Sequence, residues 1–342
     1  QDPNSPNRGI VLHTDGAGSK PVQSYLYWKE TGNLDCFKGL AQDVIAMNLD
    51  DVICVGAQPL AFVDYIALNS LKVDKQVLLK ALSEGFRECL ENLKRQGLNL
   101  AFSGGETADL PDQVRTLDVS GTILGSVDLE KAVKGDSIQP SDLIVGLSSD
   151  GKSRYEGAWN SGIMCNGITL ARYCLMKREY CMKYPELIES TGKPYYGQFR
   201  IDDYIDELGM TVGEAILSPC RIYAPIIVEI LEELGEHVAG LIHNTGGGQT
   251  KCLRVGRNIH YVKDALDEPP PIFKLIKEES GETWRNMYEI YNMGVGFEVI
   301  VRRGYAEEAV AIAEKYGIKA CLLYTSDAAD ELDGVDLGGR RI

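Results

Sequence analysis

Repeatedly along this chain an apolar, strand-like run ends in a cluster of small residues beside a charged or hydroxyl side chain, and this recurrence constrains the fold more than any other feature. Gly9 to His13 leads into Thr14-Asp15-Gly16-Ala17-Gly18-Ser19-Lys20, and Leu98 to Ser103 leads into Gly104-Gly105-Glu106-Thr107. Leu143 to Leu147 leads into Ser148-Ser149-Asp150-Gly151, and Val238 to His243 leads into Asn244-Thr245-Gly246-Gly247-Gly248. Glycine loses more conformational freedom on folding than any other residue, so consecutive glycines are expected where the backbone must approach something closely. A strand entering such a turn presents successive N–H groups to an anion.

Between the turns the hydrophobic period changes. Leu40, Val44, Met47 and Val52 recur at helical spacing within Gly39 to Val55, and Pro59 stops the run. Leu60 to Leu68 reads as a buried strand, and Lys75 to Gly97 as an amphipathic helix with Gly97 as its stop. Thr116 to Val127 returns to strand character. The resulting β-α-β-α-β-β order predicts an α+β N-terminal domain over residues 1–135, with a charged connector from Asp128 to Asp142 spanning the boundary. A C-terminal domain over residues 136–320 holds strands at 143–147, 238–243 and 296–301, a helix from about Gly167 to Lys183 and another from Ile222 to Leu234. Tyr184 to Asp203 reads as a surface loop. The opening Gln1-Asp2-Pro3 reads as a truncated start, and residues 321–342 look like a translated sequencing adapter, so the fold is expected to end near Ala320.

Charge limits what the turns can meet. Asp and Glu number 50 against 35 Lys and Arg, a net charge of -15, and no basic run is interleaved with aromatics. Nucleic acid and anionic membrane are therefore poor partners. No apolar run approaches the ~20 residues that span a bilayer. The nine cysteines stand singly without C-x-x-C spacing, which fits reduced thiols in a cytoplasmic protein. A small anionic substrate would be met by local cations, Mg²⁺ or backbone N–H groups.

Individual clusters leave alternatives open. Asp15 to Lys20 is either a phosphate cradle with Lys20 as a point charge or a plain tight turn; it is not a Walker A loop, because Ser19 separates Gly18 from Lys20 and Pro21 follows. Asp43, Asp50 and Asp51 share a helical face, suited to Mg²⁺ or to solvent. Gly104-Gly105-Glu106 offers backbone donors beside a carboxylate. Arg221, in Ser218-Pro219-Cys220-Arg221-Ile222-Tyr223, suits either a bidentate phosphate contact or a surface ion pair. Asn292-Met293-Gly294-Val295-Gly296 reads as a bend before a core strand or as part of a site.

These segments, with Cys165-Asn166-Gly167, follow one another in the order of the AIR synthetase (phosphoribosylformylglycinamidine cyclo-ligase) family, which the chain resembles from about Val11 to Ala320. The resemblance implies a two-domain fold whose N-terminal domain pairs with that of a second subunit into a β-barrel, beside an α/β sandwich-like C-terminal domain. It implies a homodimer that uses ATP and Mg²⁺ to close the imidazole ring of a small-molecule ribonucleotide. By the same resemblance Lys20 and His243 are catalytic. Asp15, Gly16, Gly18, Ser19, Lys20, Asp43, Asp64, Gly104, Gly105 and Glu106 bind ATP, with Asp15, Asp51 and Glu106 on the metal. Asn166, Gly167, Arg221, His243, Thr245, Gly246, Gly247 and Gly248 hold the ribonucleotide. One departure touches the chemistry: the family's Pro-His-Ser-Asn-Gly is Ile163-Met164-Cys165-Asn166-Gly167 here, and methionine transfers no proton. Formylglycinamidine ribonucleotide synthase, selenophosphate synthetase and thiamine-monophosphate kinase share the first motifs. They are the alternative enzyme reading, and a catalytically silent nucleotide binder is the other.

Overall fold

A computed structural model describes residues 1–188, 192–328 and 335–336. Strands β1 (Arg8–Gly16), β2 (Gln58–Leu68), β3 (Ala101–Asp109) and β4 (Leu117–Asp128) form a four-stranded sheet in the order β1-β4-β2-β3. β4 is antiparallel to β1 and β2, whereas β3 runs parallel to β2. A parallel pair needs a long crossover, and helix α3 (Lys75–Arg95) supplies it, started by Asp74, whose carboxylate accepts from the Gln76 and Val77 N–H groups.

Helix α2 (Asp35–Ile53) lies against one sheet face, where Phe62, Ile66, Val119 and Ile123 are buried. Gly121 makes room for it: a Cβ there would stand 2.4 Å from the Phe62 ring and 2.8 Å from Val44. The opposite face leaves Ile10, Leu12, Val63, Tyr65 and Leu124 exposed. The sheet is not closed within the chain, since β1 and β3 are its edges.

Two N-terminal details differ from the sequence expectation. Helix α1 (Lys20–Thr31) follows the first turn directly, with Pro21 in its first turn and Gly32 as a left-handed C-cap. It buries Lys20, Gln23 and Ser24 together with Tyr25 and Leu26, so no apolar stripe announces it. The expected glycine turn at 103–107 lies inside β3 instead. There Gly105 pairs with Asp64 across a register shift, and a Cβ on Gly105 would fall 1.5 Å from Asp64 Oδ1. Glycine at this point admits a carboxylate beside an edge strand.

The C-terminal half is organised by β5 (Leu143–Ser148), β6 (Val238–His243), β7 (Ile259–Val262), β8 (Val295–Val301) and β9 (Ala320–Ala328). They lie in the order β6-β8-β5-β9-β7, each antiparallel to its neighbours. The sheet thus continues past Ala320, where the sequence suggested an end, and Leu323 is fully buried. The remaining tail positions, 329–334 and 337–342, lie outside the described residues, as do 189–191 of the expected loop.

The helix expected from Gly167 to Lys183 is broken. Helix α4 (Ile168–Leu175) stops at Met176, which is extended, and Met176 and Lys177 bridge to Phe199 and Gly197. The 195–199 segment therefore docks against the helix end, and Gly197 is needed because a Cβ would meet the Leu175 carbonyl carbon at 2.1 Å. One face of the C-terminal sheet packs on α5 (Ala224–Leu234) and α6 (Ala306–Lys315) through Ile226, Ile230, Ile312 and Val299. The largest core is continuous from Ala17 and Leu40 through Ile163, Ile216 and Phe273, so it runs across the expected domain boundary.

Candidate functional site

The turn from Asp15 to Ser19 ends β1 and opens α1, so the first N–H groups of α1 face the turn. Ser19 is the N-cap and makes no side-chain cap. Such groups, together with the helix dipole, favour an anion. Gly18 is left-handed at φ +58°, and a Cβ there would stand 2.9 Å from the Cys165 carbonyl oxygen. The Gly16 N–H bonds to Asp15 Oδ1 at 2.7 Å, and Asn48 anchors the Asp15 carbonyl.

Lys20 does not point out of this turn. It is fully buried, donating to Asp43 Oδ1 at 2.8 Å and to the Ser218 carbonyl at 2.6 Å. Burial works against the ammonium, yet Asp43 holds its pKa above the ordinary lysine value. Its charge reaches the turn from behind.

The three α2 carboxylates are neither a solvated face nor one metal cluster, because each is taken by a different partner. Asp43 is bound to Lys20 and to the Cys220 N–H. Asp50 accepts from the Tyr223 and Ala224 N–H groups at the start of α5; burial pushes its pKa up to about 7, against those donors. Asp51 lies between two histidines, with Oδ1 2.8 Å from His243 Nδ1 and Oδ2 3.2 Å from His13 Nε2, and with Lys251 Nζ at 3.9 Å. Burial opposes its charge, but hydrogen bonds from His13 and His243 hold it well below the usual carboxylate range. The hydrogen bond to Asp51 in turn raises the His13 pKa against the cost of burial.

Asp15, Asp51 and Glu106 therefore do not assemble as the expected Mg²⁺ set. Among the described residues the only trio of His, Cys, Asp or Glu at metal-ligand spacing is Asp43, Cys165 and Cys220. Glu106 is exposed on β3. Asp64 is half-buried, with its pKa raised by burial, and borders a cleft of about 450 Å³ lined also by Ile66, Phe86, Phe102 and Thr107. A larger cleft of about 680 Å³ between α2, α3 and residues 154–160 contains none of the expected site residues.

Arg221 corrects the sequence expectation most clearly. It is 1% exposed, forks onto Glu156 at 2.8 and 2.7 Å, and donates to the Ser148 and Asp150 carbonyls. A guanidinium committed in this way braces the chain and is not offered to a phosphate.

The second glycine turn is open where the first is. Gly247 and Gly248 are left-handed at φ +102° and +51°, and a Cβ on Gly248 would stand 2.4 Å from the Tyr288 and Tyr291 carbonyl oxygens. Gly246 is exposed, 3.7 Å from Asn166 Oδ1 at its virtual Cβ. Lys251 donates to the Thr245 hydroxyl. Gly167 caps α4 in the left-handed region, and its carbonyl accepts from Tyr291. Ser19 contacts Thr169, and Arg172 donates to the Ser19 carbonyl, so both turns converge on the Asn166 segment.

Three buried atoms of these segments have no hydrogen-bond partner: Asn166 Nδ2, Arg172 Nε and, on the residue that leads into the second turn, His243 Nε2. An unpaired buried polar atom is costly, so each is a natural contact for a ligand. The sequence reading missed His13, Lys251 and Arg172. His13, the last residue before the first turn, was the one with a legible signal.

Residues 3–127 match the family described as AIR synthase related protein, N-terminal domain. The chain is similar to a phosphoribosylformylglycinamidine cyclo-ligase of Methanocaldococcus jannaschii, 33% identical over 336 residues, covering 97% of this chain and 82% of that protein. It is 36% identical over 310 residues to the protein of the same name from Pyrococcus horikoshii, covering 90% of this chain and 76% of the other. Its fold is similar to that of thiamine-monophosphate kinase from Stenotrophomonas maltophilia, with a TM-score of 0.56 and 14% identity over 97% of this chain and 85% of that one.

Proposed function

The chain belongs to the phosphoribosylformylglycinamidine cyclo-ligase family, and from that premise we propose that it closes the imidazole ring of formylglycinamidine ribonucleotide at the expense of ATP. The amide oxygen takes the γ-phosphoryl group, an amidine nitrogen attacks the same carbon, and phosphate leaves with that oxygen. ADP, phosphate and aminoimidazole ribonucleotide result. The task for the protein is to position the reactants and to stabilise charge as it develops.

The observation that carries this reading is the convergence of both glycine turns on the Asn166 segment, with Asn166 Nδ2 and, on the residue that leads into the second turn, His243 Nε2 left unpaired. The Asp15–Ser19 turn and the α1 N-terminus receive the ATP phosphates, with Lys20 supplying field from its buried pair with Asp43. The cleft beside Asp64 and the Gly104–Glu106 edge takes the nucleoside. Asn166 and the Gly246–Gly248 turn hold the ribonucleotide. With Met164 unable to carry a proton, His243 is the group that moves one at Nε2, its ring fixed through Nδ1 by Asp51. The Asp15, Asp51 and Glu106 side chains do not fit an assembled Mg²⁺ site, since the trio at ligand spacing among the described residues is Asp43, Cys165 and Cys220.

The exposed apolar face and the open β1 and β3 edges support pairing of two N-terminal sheets in a homodimer. No helix among the described residues is long and apolar enough to cross a membrane, which accords with a cytoplasmic enzyme.

ADP release measured with ATP, with and without formylglycinamidine ribonucleotide, tests the reading. Aminoimidazole ribonucleotide formed in step with ADP supports it. ATP bound without turnover on this substrate sinks it.

A further inference from the structure

Beside the first turn two thiols touch. Cys165 Sγ and Cys220 Sγ are 3.3 Å apart although 55 positions separate them in the chain. Both are buried, Cys165 at 5% exposure and Cys220 at none. Cys165 precedes Asn166, and its carbonyl abuts Gly18. Cys220 precedes Arg221, its N–H donates to Asp43 at 2.7 Å, and its carbonyl accepts from Gln42. The Lys20 ammonium shares the same Asp43 oxygen at 2.8 Å. The proposed chemistry uses neither sulfur.

We propose that Cys165 and Cys220 are a dithiol modification site that hydrogen peroxide oxidises to an internal disulfide. The sulfurs need to close from 3.3 Å to about 2.0 Å, a short movement within a packed layer. The step balances with the peroxide as oxidant. The Cys165 sulfur attacks one peroxide oxygen, the O–O bond breaks, and water leaves as a sulfenic acid forms. The Cys220 sulfur then displaces that oxygen as the S–S bond forms, and its proton departs with the hydroxide as a second water. Two thiols have lost two hydrogens, and the peroxide has become two waters.

Two features favour this outcome over a bound cation. The Lys20 charge sits on the carboxylate that would complete a metal site, so a divalent ion would have to displace an ammonium already paired at 2.8 Å. A neutral disulfide suits the same buried space without a new charge. Lys20 also steadies the sulfur that gains negative character during exchange. Cys165 is the entry point, because it alone of the pair keeps some exposure. The narrow access selects a small oxidant over a bulky disulfide reagent.

The consequence is local. Cross-linking ties the Asn166 segment to the Arg221 segment and draws both against the Lys20–Asp43 pair. A displacement of about 1 Å at a positioned site costs up to roughly a hundredfold in rate. Oxidation is therefore expected to suppress turnover and a dithiol reductant to restore it. That arm rests on the proposed ring closure, whereas the covalent readout below does not.

The test treats the full chain with hydrogen peroxide, blocks remaining thiols with N-ethylmaleimide in denaturant, and maps peptides by mass spectrometry without reduction. Expected are the loss of two of the nine thiols and a linked peptide pair containing Cys165 and Cys220, lighter by two hydrogens and separated again by dithiothreitol. Cys165→Ser, which carries the serine of the family pattern, should leave unlinked peptides and peroxide-insensitive turnover; Cys220→Ser provides an independent second variant. Oxidation confined to other cysteines, or Cys165 passing to sulfinic acid with no linked pair, would overturn the proposal. So would stoichiometric capture of Zn²⁺ by the reduced chain that is lost in both variants.

Discussion

Lys20 and Asp43 form the tightest test at the level of single residues. Both are buried, and removing one partner of a buried ion pair leaves the other charge uncompensated, at a cost of about 3–5 kcal/mol. Lys20→Ala is expected to lower the unfolding free energy from urea titration by that amount and to abolish turnover; an unchanged unfolding free energy with turnover lost would make Lys20 a free catalytic cation instead. Asp51 has a pH signature. The His13 pKa is raised, so its contribution is full below the unfolded value of 6.5 and is lost as pH rises through the folded value. The Asp51 pKa is depressed, so its contribution is full above 3.8 and is lost as pH falls through the folded value. The stability gap between the native chain and Asp51→Asn should therefore be widest between about pH 4 and 6.5 and should narrow above that range. Urea titrations across pH read it directly, and a gap that widens toward alkaline pH would contradict the assignment. The positions of His243 and Asn166 beside glycines were legible in the sequence, and their roles as site residues rest on the family resemblance. The fates of Asp50, Asp51 and Arg221 were not legible, since helical spacing places carboxylates on a face without saying which distant backbone or imidazole will meet them.

At the level of elements, the strand-and-turn grammar carried well where a turn is required by backbone geometry. Gly248 is left-handed, and a Cβ there would stand 2.4 Å from two backbone oxygens, so Gly248→Ala should distort the second turn and reduce ribonucleotide affinity more than it reduces ATP affinity. Equilibrium binding of the two ligands separates these effects, and equal losses would place the turn outside the ribonucleotide site. The same grammar misread Gly104-Gly105, which lie in an edge strand, because sequence cannot distinguish a glycine that frees φ from one that yields space to Asp64. Helix α1 escaped notice for a related reason: its inward face is built of Lys20, Gln23 and Ser24, so burial there carries no hydrophobic period. The break after α4 was equally silent, being imposed by residues 195–199 from beyond the helix.

For the whole molecule, the α+β class and the four N-terminal strands were readable, but the strands at 259–262 and 320–328, the spatial order within each sheet and the continuous core from α2 past the expected domain boundary were not, because they are made by contacts across long sequence separations. The exposed sheet face gives this scale its own prediction. Leu12 is 70% exposed on β1, so Leu12→Glu should convert a dimer to a monomer in sedimentation velocity while leaving the far-ultraviolet circular dichroism unchanged; a native chain that sediments as a monomer would refute the paired sheet. Ring closure through a phosphorylated amide fixes the path of one oxygen atom. With formylglycinamidine ribonucleotide carrying ¹⁸O in its formyl group, ring closure through a phosphorylated amide predicts that the label appears in inorganic phosphate, one atom for each ADP released. Label released to water, with unlabelled phosphate, would contradict it.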